Sequence, residues 1–300
     1  MSTNGTAIEV EQLYRDYKPL LASIAYRMLG SISEAEDAVQ DVFVTLSKVD
    51  LHHIGHPKAY LVKMITNRAL NLMKAAPRQR ETYPGPWLPE PIIELASEGE
   101  PQERLLRHER LGYALLVLLQ TCTPPERAVF VLRESLGYDY ADIAAMLDKS
   151  EAACRKLFSR ASAKIQHRPH EQTEEAALDA SIDRFVQSFA QAIDSGRFEP
   201  FLHLLTDDAV MLSDGGGIVR SALKPILGRE RIIAFFAGIG GKGSLAGELR
   251  RVRISGQHGL LLYKQGKPQF AFILEPDPQL QAIRAVYLVS NPHKLGRIEP

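Results

Sequence analysis

Apolar residues recur at helical spacing through the first 75 positions, and glycine and proline punctuate the pattern. Leu20, Leu21, Ile24, Met28 and Leu29 form one stripe, which Gly30 ends. Ser33, with Glu36 three residues on, reads as a capping box opening a second helix. That helix is expected to bury Ala35, Ala38, Val39, Val42, Leu46 and Val49 and to leave Asp37, Gln40, Asp41 and Lys48 outward. Pro57 suits the first turn of a third helix, where its missing N–H has no partner to lose, and Pro77 ends it. Pro84, Gly85, Pro86, Pro89, Pro91 and Pro101 forbid regular helix and mark a linker, which holds Trp87, the only tryptophan. A second helical block runs over residues 103–165. Thr123 caps a helix begun by Pro124 and closed by Gly137, and Asp139 caps a short helix through Leu147. Asp148 and Lys149 turn the chain, and Ser150 caps the next helix.

Beyond a second polar linker at residues 167–175 the period changes. A helix carrying Ile182, Phe185, Val186, Phe189 and Ile193 ends at Gly196. Strand-like runs then occupy 209–212, 249–254, 260–263, 269–274 and 282–289, interrupted by a short helix near 230–236. The predicted fold class is therefore multidomain: two all-α domains, a helical bundle and a helix-turn-helix, then an α+β domain with a curved antiparallel sheet folded over helices.

Charge sharpens this picture. The formal net charge of the 300 residues is zero, yet residues 51–80 hold six Lys and Arg and no Asp or Glu. Residues 1–50 hold eight acids against four bases. A one-signed segment on a neutral chain points to a polyanion partner, and the acidic stretches beside it to a protein partner. Two cysteines without a CxxC spacing suggest neither a disulfide scaffold nor a cysteine-rich metal site. The polar start and the short apolar runs suggest neither a signal peptide nor a membrane span, so the expected location is cytoplasmic.

On the third helix Leu61, Ile65 and Leu72 are assigned to the core. Lys63, Asn67, Asn71 and Lys74 then share an outward stripe at steps of about one turn. Lysines neutralise phosphates and asparagines both donate and accept at base edges; a plain solvated cationic face is the alternative. His52, His53 and His56 raise zinc only weakly, because cysteines are absent and carboxylates few nearby, and no metal is assigned. In the later pair of helices, Cys154, Leu157, Phe158, Ala161 and Ile165 face inward, so Arg155, Lys156, Ser159 and Arg160 face outward. This is the layout of a helix-turn-helix whose second member enters a major groove, with Asp148 in the left-handed conformation in place of the usual glycine. An ordinary αα-hairpin is the bland reading.

Several blocks together resemble the bacterial extracytoplasmic-function sigma factors of the sigma-70 family. They are Tyr26-Arg27-Met28-Leu29-Gly30, Ala35-Glu36-Asp37-Ala38-Val39-Gln40-Asp41, Pro57-Lys58-Ala59-Tyr60-Leu61 and Tyr140-Ala141-Asp142-Ile143-Ala144. The chain is similar, more narrowly, to the subgroup with a SnoaL-like C-terminal extension. The matching residues there are Trp87-Leu88-Pro89-Glu90-Pro91, Asp214-Gly215-Gly216-Gly217 and Asn291-Pro292-His293-Lys294-Leu295. The resemblance implies region 2 at residues 10–80, a linker at 81–102, region 4 at 103–168 and a SnoaL-like domain at 176–295.

It also implies partners: core RNA polymerase, through the β′ clamp helices and the β flap, and promoter DNA. Asp37, Gln40 and Asp41 would dock on the clamp helices. Lys63, Asn67, Asn71 and Lys74 would engage the −10 element, and Arg155, Lys156, Ser159 and Arg160 the −35 element. The linker, glycine and terminal motifs would serve regulation between domains. SnoaL-like folds include cyclases and isomerases, in which a carboxylate abstracts a proton within an apolar pocket. His203, Asp207, Asp208 and Asp214 are the candidates here, but no oxyanion partner is assignable, so no catalytic residue and no cofactor is expected. A small ligand of the C-terminal domain stays open. The rival readings are a one-component helix-turn-helix regulator with a ligand-sensing domain, and a SnoaL-like isomerase or cyclase.

Overall fold

The structure is a computed structural model that describes residues 3–51, 54–75, 83–94, 112–165 and 175–298. The chain divides into two compact units. The first comprises Met1–Gln79, Glu98–Leu111 and Leu115–His167; the second comprises Arg80–Ser97, Gly112–Ala114 and Arg168–Pro300.

In the first unit, α1 (Thr3–Leu29), α2 (Ile32–Leu46) and α3 (Pro57–Ala75) pack around Leu21, Ile24, Met28, Ala38, Val42, Leu46, Leu61, Ile65 and Ala69, all buried. Gly30 closes α1 at φ +76°, its N–H donating to the Tyr26 carbonyl at 2.7 Å. The α2 cap is Ser31 rather than Ser33. Following the left-handed glycine, Ser31 is the residue with the extended backbone that an N-cap needs, and its hydroxyl accepts from the Glu34 N–H at 3.4 Å. The helix also ends at Leu46, short of Val49. Leu72 is half-buried, and the core positions of α3 are Leu61, Val62, Ile65, Thr66, Ala69 and Met73.

The later helices are α4 (Tyr113–Leu119), which belongs to this unit from Leu115 onward, α5 (Pro124–Phe130), α6 (Tyr140–Leu147) and α7 (Glu151–Ile165). Thr123 caps α5, and the Glu126 carboxylate returns to the Thr123 N–H at 2.9 Å. Beyond Phe130 the helix widens into a π turn over Val131–Ser135 before Gly137, at φ +69°, stops it. Asp139 caps α6 and Ser150 caps α7, each accepting from the backbone N–H three residues on. Asp148 adopts φ 50°, ψ 51°, so an aspartate takes the left-handed position between the two helices. Phe130 stacks on Phe158 at 5.7 Å, joining α7 to α5.

In the second unit, α8 (Glu175–Ser195), α9 (Glu199–Leu202) and α10 (Arg229–Gly240) accompany a sheet of seven strands. The strands are β1 (Ile93–Glu94), β2 (Leu205–Asp214), β3 (Ile226–Leu227), β4 (Glu248–Ile254), β5 (Gln257–Lys264), β6 (Lys267–Pro276) and β7 (Ile283–Val289), in the order β1-β4-β5-β6-β7-β2-β3. The sheet is mixed rather than wholly antiparallel: β2 returns to lie beside β7 and runs parallel to it, from Leu205↔Ile283 to Asp214↔Val289. The edge strand β1 comes from the proline-rich linker and pairs antiparallel with β4, Ile93↔Ile254 and Glu94↔Arg253.

Alternation along the strands gives the sheet two apolar faces. One faces α8 and α10 and carries Leu260, Leu262, Phe272, Leu274, Val286 and Leu288. There the Phe189 ring lies 4.7 Å from Phe201, 4.9 Å from Phe236 and 5.2 Å from Phe272, filling that side with aromatic carbon. The opposite face carries Leu261, Ala271, Ile273, Tyr287 and Val289, which are also buried. The short helix α11 (Pro292–Leu295), capped by the Asn291 side chain, follows β7.

Candidate nucleic-acid interface and a buried linker site

The outward face of α2 presents Asp37, Gln40 and Asp41, all exposed, with Val44 at 58% exposure one turn on. A cleft lined by Glu34, Asp37, Gln40, Asp41, Arg68 and Leu72 separates this face from α3. Across it the Arg68 guanidinium binds Asp41, Nε to Oδ2 at 2.8 Å. Arg68 is absent from the sequence-derived stripe because its partner lies 27 residues away in the chain.

On α3 the four stripe residues divide. Asn71 and Lys74 are exposed. Lys63 instead donates to the Ala145 carbonyl at 3.0 Å and pairs with Asp148 at 3.2 Å, and Asn67 makes a long contact of 3.5 Å to the Met146 carbonyl. These acceptors are the C-terminal end of α6 and the turn after it, where unsatisfied carbonyls and the helix dipole attract a cation. The first unit is held further by Arg127, at 1% exposure, which donates to the Met28 carbonyl at 2.5 Å and to the Gln120 side chain at 3.0 Å. On α7, Arg155, Lys156, Ser159 and Arg160 are all exposed, with Cys154, Ala161 and Ile165 buried behind them. The Arg155 guanidinium rests 4.4 Å from the Tyr140 ring and 3.4 Å from Glu151, which orients it along the helix surface. Arg78, Arg80, His52 and His53 lie outside the described residues.

The second unit gathers the three remaining motifs around one carboxylate. Asp214 is buried at the end of β2. Its Oδ1 accepts from the Tyr83 hydroxyl at 2.5 Å and the Gly216 N–H at 3.0 Å, and its Oδ2 from the Leu88 N–H at 2.8 Å and Lys294 Nζ at 2.7 Å. Lys294 also donates to the Leu88 carbonyl and lies 3.9 Å from the Trp87 ring centre. Leu88, Pro89, Glu90 and Pro91 are buried, and Trp87 is half-buried. Asn291 donates to the Tyr83 hydroxyl at 3.0 Å while accepting from the His293 N–H. Leu295 is buried at 1% exposure, and Pro292 opens the helix that presents Lys294. Burial first, and the Asp214 carboxylate second, push the Tyr83 phenol above its ordinary value, so it acts as a donor.

The glycines after Asp214 are required by close approach. Gly216 has φ +65°, and a Cβ there would lie 2.4 Å from Asn291 Cγ. Gly217 has φ +72°, and a Cβ there would lie 2.5 Å from Pro84 Cγ. At Gly215 a Cβ would meet the Val219 carbonyl oxygen at 2.1 Å. Tyr83, Tyr113 and Ser255 join this site without any local sequence signal. Tyr113 donates to the Pro89 carbonyl at 2.7 Å, its ring 5.6 Å from Tyr287. The Ser255 N–H donates to the Ile92 carbonyl at 2.7 Å. Of the candidate catalytic groups, His203, Asp207 and Asp208 are exposed, Asp207 paired with Arg229 at 2.8 Å. Asp214 is bound within its cluster rather than directed into an apolar pocket.

Comparison with known proteins now bears on both units. Residues 13–79 match the family model for sigma-70 region 2, and residues 113–165 match that for sigma-70 region 4. The two matched stretches are the regions of an RNA polymerase sigma factor. It is 28% identical over 284 residues to the extracytoplasmic-function RNA polymerase sigma factor SigJ of Mycobacterium tuberculosis, covering 91% of this chain and 89% of that protein. It is 29% identical over 203 residues to the probable extracytoplasmic-function sigma factor SigI of the same species, covering 65% of this chain and 67% of that protein. The crystal structure of M. tuberculosis SigJ shares the fold, with a TM-score of 0.75 at 24% identity over 94% of this chain and 97% of that one. Likeness to extracytoplasmic-function sigma factors implies core RNA polymerase and promoter DNA as partners. Among the described residues, no helix is long and apolar enough to cross a membrane.

Proposed function

We propose that this sigma factor docks on the β′ clamp helices of RNA polymerase through Asp37, Gln40 and Asp41 and uses region 4 both at the β flap and at the −35 element. On this reading Arg155, Lys156, Ser159 and Arg160 read −35 DNA, while Lys63, Asn67, Asn71 and Lys74 engage the −10 element. The carrying observation is that the four α7 residues form one exposed polar face on a helix-turn-helix. The protein works in the cytoplasm, and its C-terminal unit regulates rather than catalyses. The aromatic packing between the sheet and α8 and α10 supports that part, because Phe189 and its neighbours fill this space with their own rings.

The first unit as it stands is a closed form. The two promoter elements lie about 25 base pairs, or roughly 85 Å, apart at 3.4 Å per pair. Lys63 and Asp148 are 3.2 Å apart, so one copy reaches both elements only after α3 parts from the α6–α7 turn. Grip on the linker by the C-terminal unit then limits how far the two DNA-binding regions separate. Run-off transcription with purified core enzyme on a cognate promoter tests the assignment. Arg155→Ala with Arg160→Ala is expected to abolish −35-dependent transcripts and to leave core binding intact. Undiminished transcription would refute it.

A further inference from the structure

We propose that the C-terminal unit is a peptide reader, and that an extended protein segment of aromatic–leucine–proline–acid–proline chemistry, supplied by another molecule, displaces the linker from it. The proposal rests on the reading that linker grip governs activity, and it adds the chemistry of the input.

Residues 83–94 are bound as a contiguous linear epitope, largely through main-chain groups. Asp214 and Lys294 take the N–H and the carbonyl of the same residue, Leu88. Tyr113 takes the Pro89 carbonyl, and Ser255 takes both polar groups of Ile92, its hydroxyl accepting from the Ile92 N–H at 3.3 Å. Ile93 and Glu94 then add a strand to the edge of β4. Adding a strand to a sheet edge and docking a proline-stiffened segment are both general modes of peptide recognition.

Side chains supply selectivity. Leu88 is fully enclosed, and Trp87 offers its ring to Lys294. Pro89 and Pro91 lie buried without an N–H that would need a partner. Glu90 is buried, with Arg297 4.0 Å away. None of these interactions depends on covalent continuity with the rest of the chain. What continuity supplies is effective concentration, on the order of millimolar for a tethered segment. A competing segment therefore succeeds when a second contact holds its carrier nearby.

The test uses the full chain with residues 83–94 replaced by a Gly/Ser stretch of equal length, and a fluorescein-labelled synthetic peptide of residues 83–94. Anisotropy is expected to show saturable binding to the vacated chain and at least about 100-fold weaker binding to the intact chain, as the tethered competitor demands. A peptide carrying Leu88→Asp is expected not to bind. Absence of saturable binding to a vacated chain whose C-terminal unit still melts cooperatively overturns the proposal. So does equal binding of the Leu88→Asp peptide. If the vacated chain fails to fold, the full chain carrying Leu88→Asp in its own linker takes its place. Run-off transcription separates the two layers: unchanged output from the vacated chain defeats the regulatory reading while peptide binding stands, and altered output without peptide binding defeats the peptide reader alone.

Discussion

Replacing Lys294 with methionine removes the one cation that, among the described residues, contacts the buried Asp214 carboxylate. The side chains of Lys294 and Asp214 are 10% and 0% exposed, and their contact is 2.7 Å. Removing one partner of a buried ion pair costs about 3–5 kcal/mol, because the other charge stays buried and uncompensated. Here the low end applies: Tyr83, Leu88 N–H and Gly216 N–H still donate to Asp214, and methionine keeps most of the apolar volume. The lost contact with Trp87 is part of that figure rather than an addition to it. At about 1.4 kcal/mol per tenfold, roughly 3 kcal/mol weakens linker docking by about two orders of magnitude.

The chain's single tryptophan lies in the docked segment, so intrinsic fluorescence with acrylamide quenching reads the linker directly. Lys294→Met is expected to make Trp87 markedly more quenchable and to lower the melting temperature of the C-terminal unit by several degrees. Combining it with Asp214→Asn is expected to cost less than the two changes summed, since the second removes the orphaned charge. Quenching and melting indistinguishable from the parent would show that the pair does not hold the linker, and would refute the reasoning.

Asp148→Gly keeps the left-handed turn at no steric cost and removes the carboxylate facing Lys63. Because that pair is exposed and worth only about 0.2–1 kcal/mol, affinity for a single-stranded −10 oligonucleotide should rise by no more than about fivefold, measured by anisotropy; a decrease would contradict the closed-form reading. Gly216→Ala places a side chain at φ +65° and 2.4 Å from Asn291, and is expected to raise Trp87 quenching much as Lys294→Met does. For Glu126, burial pushes the carboxyl up, but Lys164 and the Thr123 groups outweigh it and hold it below the usual carboxylate range. Its contribution is therefore present above the unfolded value and lost as pH falls through the folded one. Urea unfolding should show a shallower loss of stability on acidification for Glu126→Gln, and an unchanged acid limb would count against it.

Much of this protein is written in local chemistry. Gly30, Thr123-Pro124, Gly137, Asp139 and Ser150 set helix ends because caps and left-handed stops act within four residues, and the outward face of α7 follows from helical period alone. The cap of α2 falls on Ser31, two residues before Ser33, because Ser31 directly follows the left-handed Gly30. The π turn over Val131–Ser135 and the parallel β2–β7 pair have no local signature. That both faces of β6 and β7 are buried is likewise a matter of tertiary packing, since their runs by themselves indicate only strands.

Helical period, capping and charge are properties of neighbours in the chain, and they suffice for those helix ends and the outward faces of α2 and α7; the linker, glycine and terminal motifs are legible only through the family resemblance. Only the tertiary structure decided that Lys63 meets Asp148, that Arg68 meets Asp41, and that Tyr83, Leu88, Gly216 and Lys294 converge on Asp214. Those partners lie from 27 to 131 residues apart, Gly216 excepted, and a buried carboxylate takes whatever donors the fold brings to it.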